Sequence, residues 1–140
     1  MGQKPSILIC DDEPSVQAAL RLVLEKDYVL SFASDGEEAL ACFRAQPTDL
    51  VLLDIKLPKR DGLEVLKVLS AEQPPPRVLM LTAYHSVELA QRAIQGGALD
   101  YVTKPFERAT LQQAVERALQ LPAWQRPSQP YPGLREPPSA

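Results

Sequence analysis

Five side chains in this sequence are of the types that handle phosphorus or a hard metal ion: Asp11, Asp12, Asp54, Thr82 and Lys104. The first two follow the apolar residues Ile7, Leu8, Ile9 and Cys10, and Glu13 makes a third acid before Pro14. Adjacent acids at the end of a buried run repel one another and lose solvation unless water, a cation or a partner reaches them. Asp54, Thr82 and Lys104 each stand directly after another apolar run. Three carboxylates around one point suit a hard cation with oxygen ligands, and few protein ligands with retained waters suit magnesium bridging to a phosphate. Lys104 adds a compact charge for a phosphoryl oxygen, and the Thr82 hydroxyl can donate a hydrogen bond to another. Asp54 is then left as nucleophile, able to form an aspartyl phosphate while the metal and Lys104 neutralise charge on the transferring group.

Taken singly, these residues have plainer readings: an Asp after a strand caps or turns, Thr is common in strands, and a loop Lys is solvated. Asp27 and Asp49 stand at the opposite ends of the apolar runs, so position alone does not make a site. What unites the five is the arrangement of elements that would carry them. Apolar runs at residues 7–10, 28–33, 50–53, 78–81 and 101–103 are of strand length and mostly lack in-out alternation, which predicts strands covered on both sides. Between them lie helical stripes such as Val16, Ala19, Leu20, Val23 and Leu24, repeated at Leu111, Ala114, Val115, Ala118 and Leu119. Pro14 suits a first helical turn, Asp35 with Glu38 resembles a capping box, Ser86 can cap the fourth helix, and Gly96 with Gly97 can end it. A β-α unit repeated five times predicts an α/β fold with a parallel, doubly wound sheet and right-handed crossovers. Ligands of such sheets bind beyond the carboxyl ends of the strands. If strands one, three, four and five are neighbours, all five chemical residues converge on one rim, and strand two adds only Ser34 and Asp35.

Composition narrows the class. A chain of 140 residues with 45% hydrophobic content buries one core rather than two, and a net charge of −3 without a basic run offers no footprint for nucleic acid or an acidic membrane. No segment approaches the roughly 20 apolar residues of a membrane span, and the amino terminus lacks the apolar stretch of a signal peptide, so the expected location is cytoplasmic. Cys10 and Cys42 form no metal or disulfide motif and read as small buried hydrophobes. Residues 1–121 form the expected domain. Pro122, Pro127, Pro130, Pro132, Pro137 and Pro138 mark residues 122–140 as a proline-rich tail or linker without packed structure, and Trp124 within it is assigned no role.

Asp11 and Asp12, Asp54 followed by Pro58, Asp61 and Gly62, then Thr82 and Ala83, then Tyr101, Val102, Thr103, Lys104, Pro105 and Phe106, together resemble the receiver domain of bacterial two-component response regulators. The residues from Leu81 to Glu88 and from Gly97 to Tyr101 are most similar to receivers of the nitrogen-regulation, enhancer-binding type. The resemblance implies a flavodoxin-like (βα)5 fold with strand order 2-1-3-4-5. It implies Asp54 as phospho-acceptor from a sensor histidine kinase or phosphotransfer protein, and Mg2+ as cofactor. Asp12 and Asp54 would be direct ligands, Asp11 would act through water, and the Lys56 carbonyl would be a further ligand. Thr82 and Lys104 would hold the phosphoryl group, Tyr101 would turn inward on activation, and the Lys104-Pro105 bond would be cis. Glu107 stands where a shorter capping residue is commoner, and His85 replaces a usual glycine and reads as an ordinary loop residue. Lys56 and Tyr84 would flank the path of an attacking water, so bulky Tyr84 is expected to slow hydrolysis of the aspartyl phosphate.

Phosphorylation would draw Thr82 toward Asp54 and let Tyr101 take the vacated space, a two-state element biased by local charge. The changed surface would be the fourth helix, fifth strand and fifth helix, with Glu88, Gln91, Arg92, Gln112, Gln113, Glu116 and Arg117 facing solvent and serving phosphorylation-favoured homodimerisation. Two alternatives use the same residues. A haloacid-dehalogenase-like phosphatase would share the Asp nucleophile, magnesium, hydroxyl and lysine, but needs an Asp where this chain has Lys56. A receiver-like interaction module would never be phosphorylated. The reading adopted is a signalling switch rather than an enzyme.

Overall fold

Four apolar residues in a row make a strand that hides both faces, and three segments of this chain do so. In the computed structural model, which describes residues 3–83 and 87–122, these are β1 (Ser6–Cys10), β3 (Leu50–Asp54) and β4 (Arg77–Ala83), each almost wholly buried. They occupy the middle of a five-stranded sheet in the order β2-β1-β3-β4-β5, with β2 (Val29–Ala33) and β5 (Asp100–Lys104) at its edges. Every pairing is parallel. The five helices that return the chain are α1 (Pro14–Leu24), α2 (Gly36–Ala45), α3 (Gly62–Ser70), α4 (Val87–Gln95) and α5 (Arg108–Gln120).

Side-chain alternation sends each inner strand into two cores. Leu8, Cys10, Val51, Leu53, Val78 and Met80 pack with residues of α2, α3 and α4 on one face. Ile7, Ile9, Leu50, Leu52, Leu79 and Leu81 pack with α1 and α5 on the other. The sheet is therefore covered on both sides, as its aliphatic runs require. The expectation of full cover fails at β2, where exposure alternates and Val29 is 57% exposed. An edge strand has one neighbour and only part of a helix above it, so its outer residues stay wet.

Helix ends follow their capping chemistry, with one correction. Pro14 opens α1 as expected. Asp35 caps α2 by accepting the Glu38 N–H at 2.7 Å, but the Glu38 carboxylate takes the Ser34 N–H at 2.6 Å instead of closing a reciprocal box. The reciprocal capping box belongs to α3, between Asp61 and Glu64. Glu107 precedes α5 without a side-chain cap. Gly97, just past α4, has φ of 129°, a conformation that glycine adopts without strain. Lys104-Pro105 is cis, as the resemblance implied, and Gln73-Pro74 is cis as well. Asp49, at the amino end of β3, holds the start of β1 by accepting the Ser6 N–H at 2.8 Å. Cys10 is buried and Cys42 partly so; burial first, then nearby negative groups, pushes both thiols up and keeps them protonated.

Gly62 lies where α3 starts against the end of β3. Its N–H donates to the Ile55 carbonyl at 2.6 Å, and a β-carbon there would collide with the Asp54 carbonyl and Ile55 Cα. Backbone cannot swing aside as a side chain can. Gly62→Ala is therefore expected to cost roughly 3 kcal/mol, the upper end for overpacking, measured as the shift in a urea unfolding curve.

Candidate functional site

The carboxyl ends of β1, β3, β4 and β5 meet at one rim of the sheet, and the rim is crowded with charge. Carboxylate oxygens of Asp11, Asp12 and Asp54 all lie within 4.8 Å of one another. Lys104, the last residue of β5, reaches across to them: its Nζ is 3.0 Å from Asp11 Oδ2, 3.1 Å from Asp54 Oδ2 and 3.4 Å from Glu13 Oε1. A cavity of about 560 Å³ opens beside this group, lined by Asp12, Asp54, Lys56, Thr82 and Lys104 among others. All five residues expected to act together are thus at one site. Asp11 sits behind the cavity wall with no exposed surface, Thr82 is 1% exposed, and Asp12 faces solvent.

Backbone geometry fixes the two buried acids. The Asp11 N–H continues the β1 ladder to the Ala33 carbonyl at 3.1 Å, and Asp11 Oδ1 accepts the Glu13 N–H at 2.9 Å. Asp54 Oδ1 accepts the Lys56 N–H at 3.1 Å, and the Ile55 N–H donates to the Leu81 carbonyl at 3.1 Å, holding the residue after Asp54 against β4. Thr82 Oγ donates to its neighbour's carbonyl, Ala83 O, at 3.2 Å. Among the described residues the Asp12 carboxylate enters no salt bridge, so it is available to a ligand in the cavity. Tyr84, His85 and Ser86 lie outside the described residues, and with them the expectations for water access and for the cap of α4. Trp124 and residues 123–140 also lie outside.

The electrostatics of the pair are unequal. Burial pushes the Asp54 carboxyl above its ordinary value of 3.8, outweighing the Lys56 N–H and the Lys104 ammonium that pull it down, and Asp11 adds to the upward push. Burial opposes the charge on Lys104 too, but hydrogen bonds and attraction from Asp11 and Asp54 win and raise it. One ammonium does not balance the acids around it. The donor set is all hard oxygen, the oxygens lie within one coordination sphere's reach of one another, and a negative excess remains; these residues fit magnesium.

Two residues of the site escaped the sequence reading. Glu13 reads in the sequence only as one more acid of the cluster, yet its carboxylate is the third group on Lys104. Gln17, one turn into α1, donates through Nε2 to the Asp11 carbonyl at 2.6 Å. The adjacency of Glu13 to Asp12 could have flagged the first, but no spacing marks the second. Gln112, expected to face solvent, is half-buried, while Glu88, Gln91, Arg92, Gln113, Glu116 and Arg117 are exposed.

A carboxyl whose proton is held more tightly in the fold than in the unfolded chain makes folding weaken as pH rises. The Asp54 contribution is whole below the ordinary carboxylate range and is lost as pH climbs through the raised value. In metal-free protein Asp54→Asn leaves Lys104 still paired with Asp11 and Glu13. It is expected to raise stability at neutral pH, read as a higher Tm. That gain should shrink as pH falls through the acid range in which Asp54 takes up its proton.

The response regulator receiver domain family matches residues 7–116 of the chain. Relatives include the transcriptional regulatory protein ZraR of Escherichia coli K12, 41% identical over 114 residues, covering 81% of this chain and 26% of ZraR. The regulatory protein AtoC of the same organism is 40% identical over 116 residues, 82% of this chain and 25% of AtoC. The chain thus spans about a quarter of the length of these relatives. Among solved structures, the receiver domain of NtrX from Brucella abortus superposes with a TM-score of 0.79 at 33% identity, covering 83% of this chain and 99% of that one. Fold, site and relatives agree that the chain belongs to the response regulator receiver domain family.

Proposed function

We propose that Asp54 accepts a phosphoryl group from a sensor histidine kinase or phosphotransfer protein, and that the resulting acyl phosphate switches the α4, β5 and α5 surface. The observation that carries this reading is the single ammonium, Lys104 Nζ, lying within 3.1 Å of both Asp54 and the deeply buried Asp11 at the mouth of a cavity. In the transfer, one Asp54 carboxylate oxygen forms the new O–P bond as the donor's P–N bond breaks, and the donor imidazole keeps the electron pair and takes up a proton. The acyl phosphate adds negative charge beside Asp11, so Lys104 gains a stronger partner than either carboxylate alone, and the Thr82 hydroxyl can turn to a phosphoryl oxygen. Lys56 N–H holds Asp54 Oδ1 and so fixes the angle at which the carboxylate presents itself. Asp11, Asp12, Asp54 and the Lys56 carbonyl would hold Mg2+. When bound, the ion would screen the acids and the charge developing on the equatorial phosphoryl oxygens.

The role is that of a switch rather than a turnover enzyme: Lys56 stands two positions after the nucleophile, where a phosphatase would need an acid, and its side chain is exposed. Thr82 and Tyr101 are the proposed switch pair. Tyr101 packs partly buried against the core under α4 and lines a groove of about 600 Å³ with Phe106, Gln113 and Arg117 of the following segment. We place the switching unit in residues 1–121 with 122–140 as a proline-rich tail or linker, working in the cytoplasm, and homodimerising through this surface when phosphorylated. No described helix is long and apolar enough to cross a membrane.

Incubation with a small phosphodonor and Mg2+ is expected to add one phosphoryl group to the intact mass, and none to Asp54→Ala or in excess chelator. Labelling that survives Asp54→Ala would refute the assignment. Mg2+ at 100 times its dissociation constant should stabilise the protein by about 2.7 kcal/mol, and Asp12→Ala should lose most of that shift. Sedimentation in the presence of a phosphoryl mimic should show a dimer; an unchanged monomer mass would count against the proposed interface.

A further inference from the structure

We infer that Gln17, working through the loop between β2 and α2, sets the separation of the Asp11–Asp12 pair from Asp54 and is thereby a positioning residue for the divalent cation. This rests on the reading of those carboxylates as the metal and acceptor site. Strand β2 sends no side chain into the cavity, yet the loop that leaves it touches both acidic loops. On one side Gln17 Nε2 donates to the Asp11 carbonyl at 2.6 Å and to Ser34 Oγ at 3.3 Å. Ser34 is joined to the start of α2 because its N–H donates to Glu38 Oε1 at 2.6 Å, and the Glu38 N–H donates to Asp35 Oδ1 at 2.7 Å.

On the other side Asp35 Oδ2 pairs with Lys59 Nζ at 3.5 Å, and the Gly36 N–H donates to the Pro58 carbonyl at 3.1 Å. Gly36 is pressed so closely on the Arg60 backbone that a β-carbon there would collide with the Arg60 carbonyl. From Arg60 the chain runs through Asp61 to Gly62, whose N–H returns to the Ile55 carbonyl beside Asp54. A path of polar contacts, close backbone packing and covalent chain therefore links Asp11 to Asp54 around the outside of the site.

Such a path has work to do. The β1–β3 ladder ends at Cys10 and Leu53, so the pairing that joins the two acid-bearing strands stops one residue short of Asp11 and Asp54, although Asp54 stays in register with Leu81 of β4. Lys104 bridges Asp11 and Asp54 but does not balance all the charge around it, so the acids still repel. The Asp11 residue is fully buried, and its carbonyl without Gln17 would be an unsatisfied acceptor. A loop tied at both sides keeps the carboxylates near the spacing a cation needs before the cation arrives, which lowers the cost of binding.

The probe is Mg2+ alone, titrated calorimetrically into the whole chain and into Gln17→Leu, which keeps the stem and removes the donor. The expected result is binding about tenfold weaker, as for other outer-shell partners of metal ligands. The second readout needs no metal. Hydrogen exchange of the Glu13 and Lys56 amides, held by Asp11 Oδ1 and Asp54 Oδ1, should quicken together, although Gln17 touches only the first loop. Unchanged Mg2+ affinity, or faster exchange at Glu13 with Lys56 unmoved, overturns the inference. Should Gln17→Leu fail to fold, Ser34→Ala removes only the remote link and is expected to show the same two effects in smaller measure; neither effect in that variant also overturns it. A parent protein that binds no Mg2+ overturns the metal reading instead, and the paired amide exchange still decides whether the brace exists.

Discussion

The Lys104 side chain must cross the end of β4 to meet its partners. Strands in a sheet lie about 4.8 Å apart, so from the edge strand β5 the Asp54 backbone is two spacings away and the Asp11 backbone three. A four-carbon stem reaching inward, met by two short carboxylates reaching back, closes that distance. The arrangement constrains what lies beneath. Lys104 is in register with Ala83, and Thr82 precedes it, so small residues end β4 where a bulky one would block the stem. The order of strands, the length of the lysine and the smallness of the β4 terminus are one requirement seen at three positions.

Charge then decides how the rim behaves. Two unit charges 4 Å apart interact by about 4 kcal/mol in a partly solvated protein site, so each acid near Asp54 bears heavily on it. Lys104 is shared among Asp11, Asp54 and Glu13 and cannot neutralise all of them. The surplus falls on Asp54, whose carboxyl is pushed up by its own burial and further by Asp11. A site in this condition would attract a cation. It also gives Lys104 a choice of partners, and a group that can shift its pairing is suited to report what becomes of Asp54.

Much of this was legible before any coordinates, for physical reasons that also explain the failures. Unbroken apolar runs at 50–53 and 78–81, short and set between helical stripes, read as doubly covered strands, and the ends of such strands gather ligands, so Asp11, Asp12, Asp54, Thr82 and Lys104 could be placed together from chain order and a neighbour relation. The run at 28–33 looks much the same but borders solvent, because strand order is a property of the whole sheet and leaves little trace in one segment. Asp35 and Glu38 have capping-box spacing, yet Glu38 turns to Ser34 N–H, a choice between two nearby donors that spacing does not make. Gln17 is the clearest case: a polar residue in a helix reads as solvated, and only the fold shows that its turn of α1 faces the Asp11 carbonyl.

Sheet register also says to which face a change at Asp54 would be sent. Thr82 pairs with Thr103 and Met80 with Tyr101, and paired residues in a parallel ladder project to the same side. Met80 belongs to the core beneath α2, α3 and α4, and Tyr101 packs against that core, whereas Val102 belongs to the opposite core with Leu111 and Val115 of α5. Displacing Thr82 toward a phosphoryl group would therefore loosen packing on the α4 side while leaving the Val102 contacts with α5 in place. Helices α4 and α5 each meet both β4 and β5, so such a change would reach α4 through the face that Thr82 and Tyr101 share, while α5 would keep its contacts with Val102.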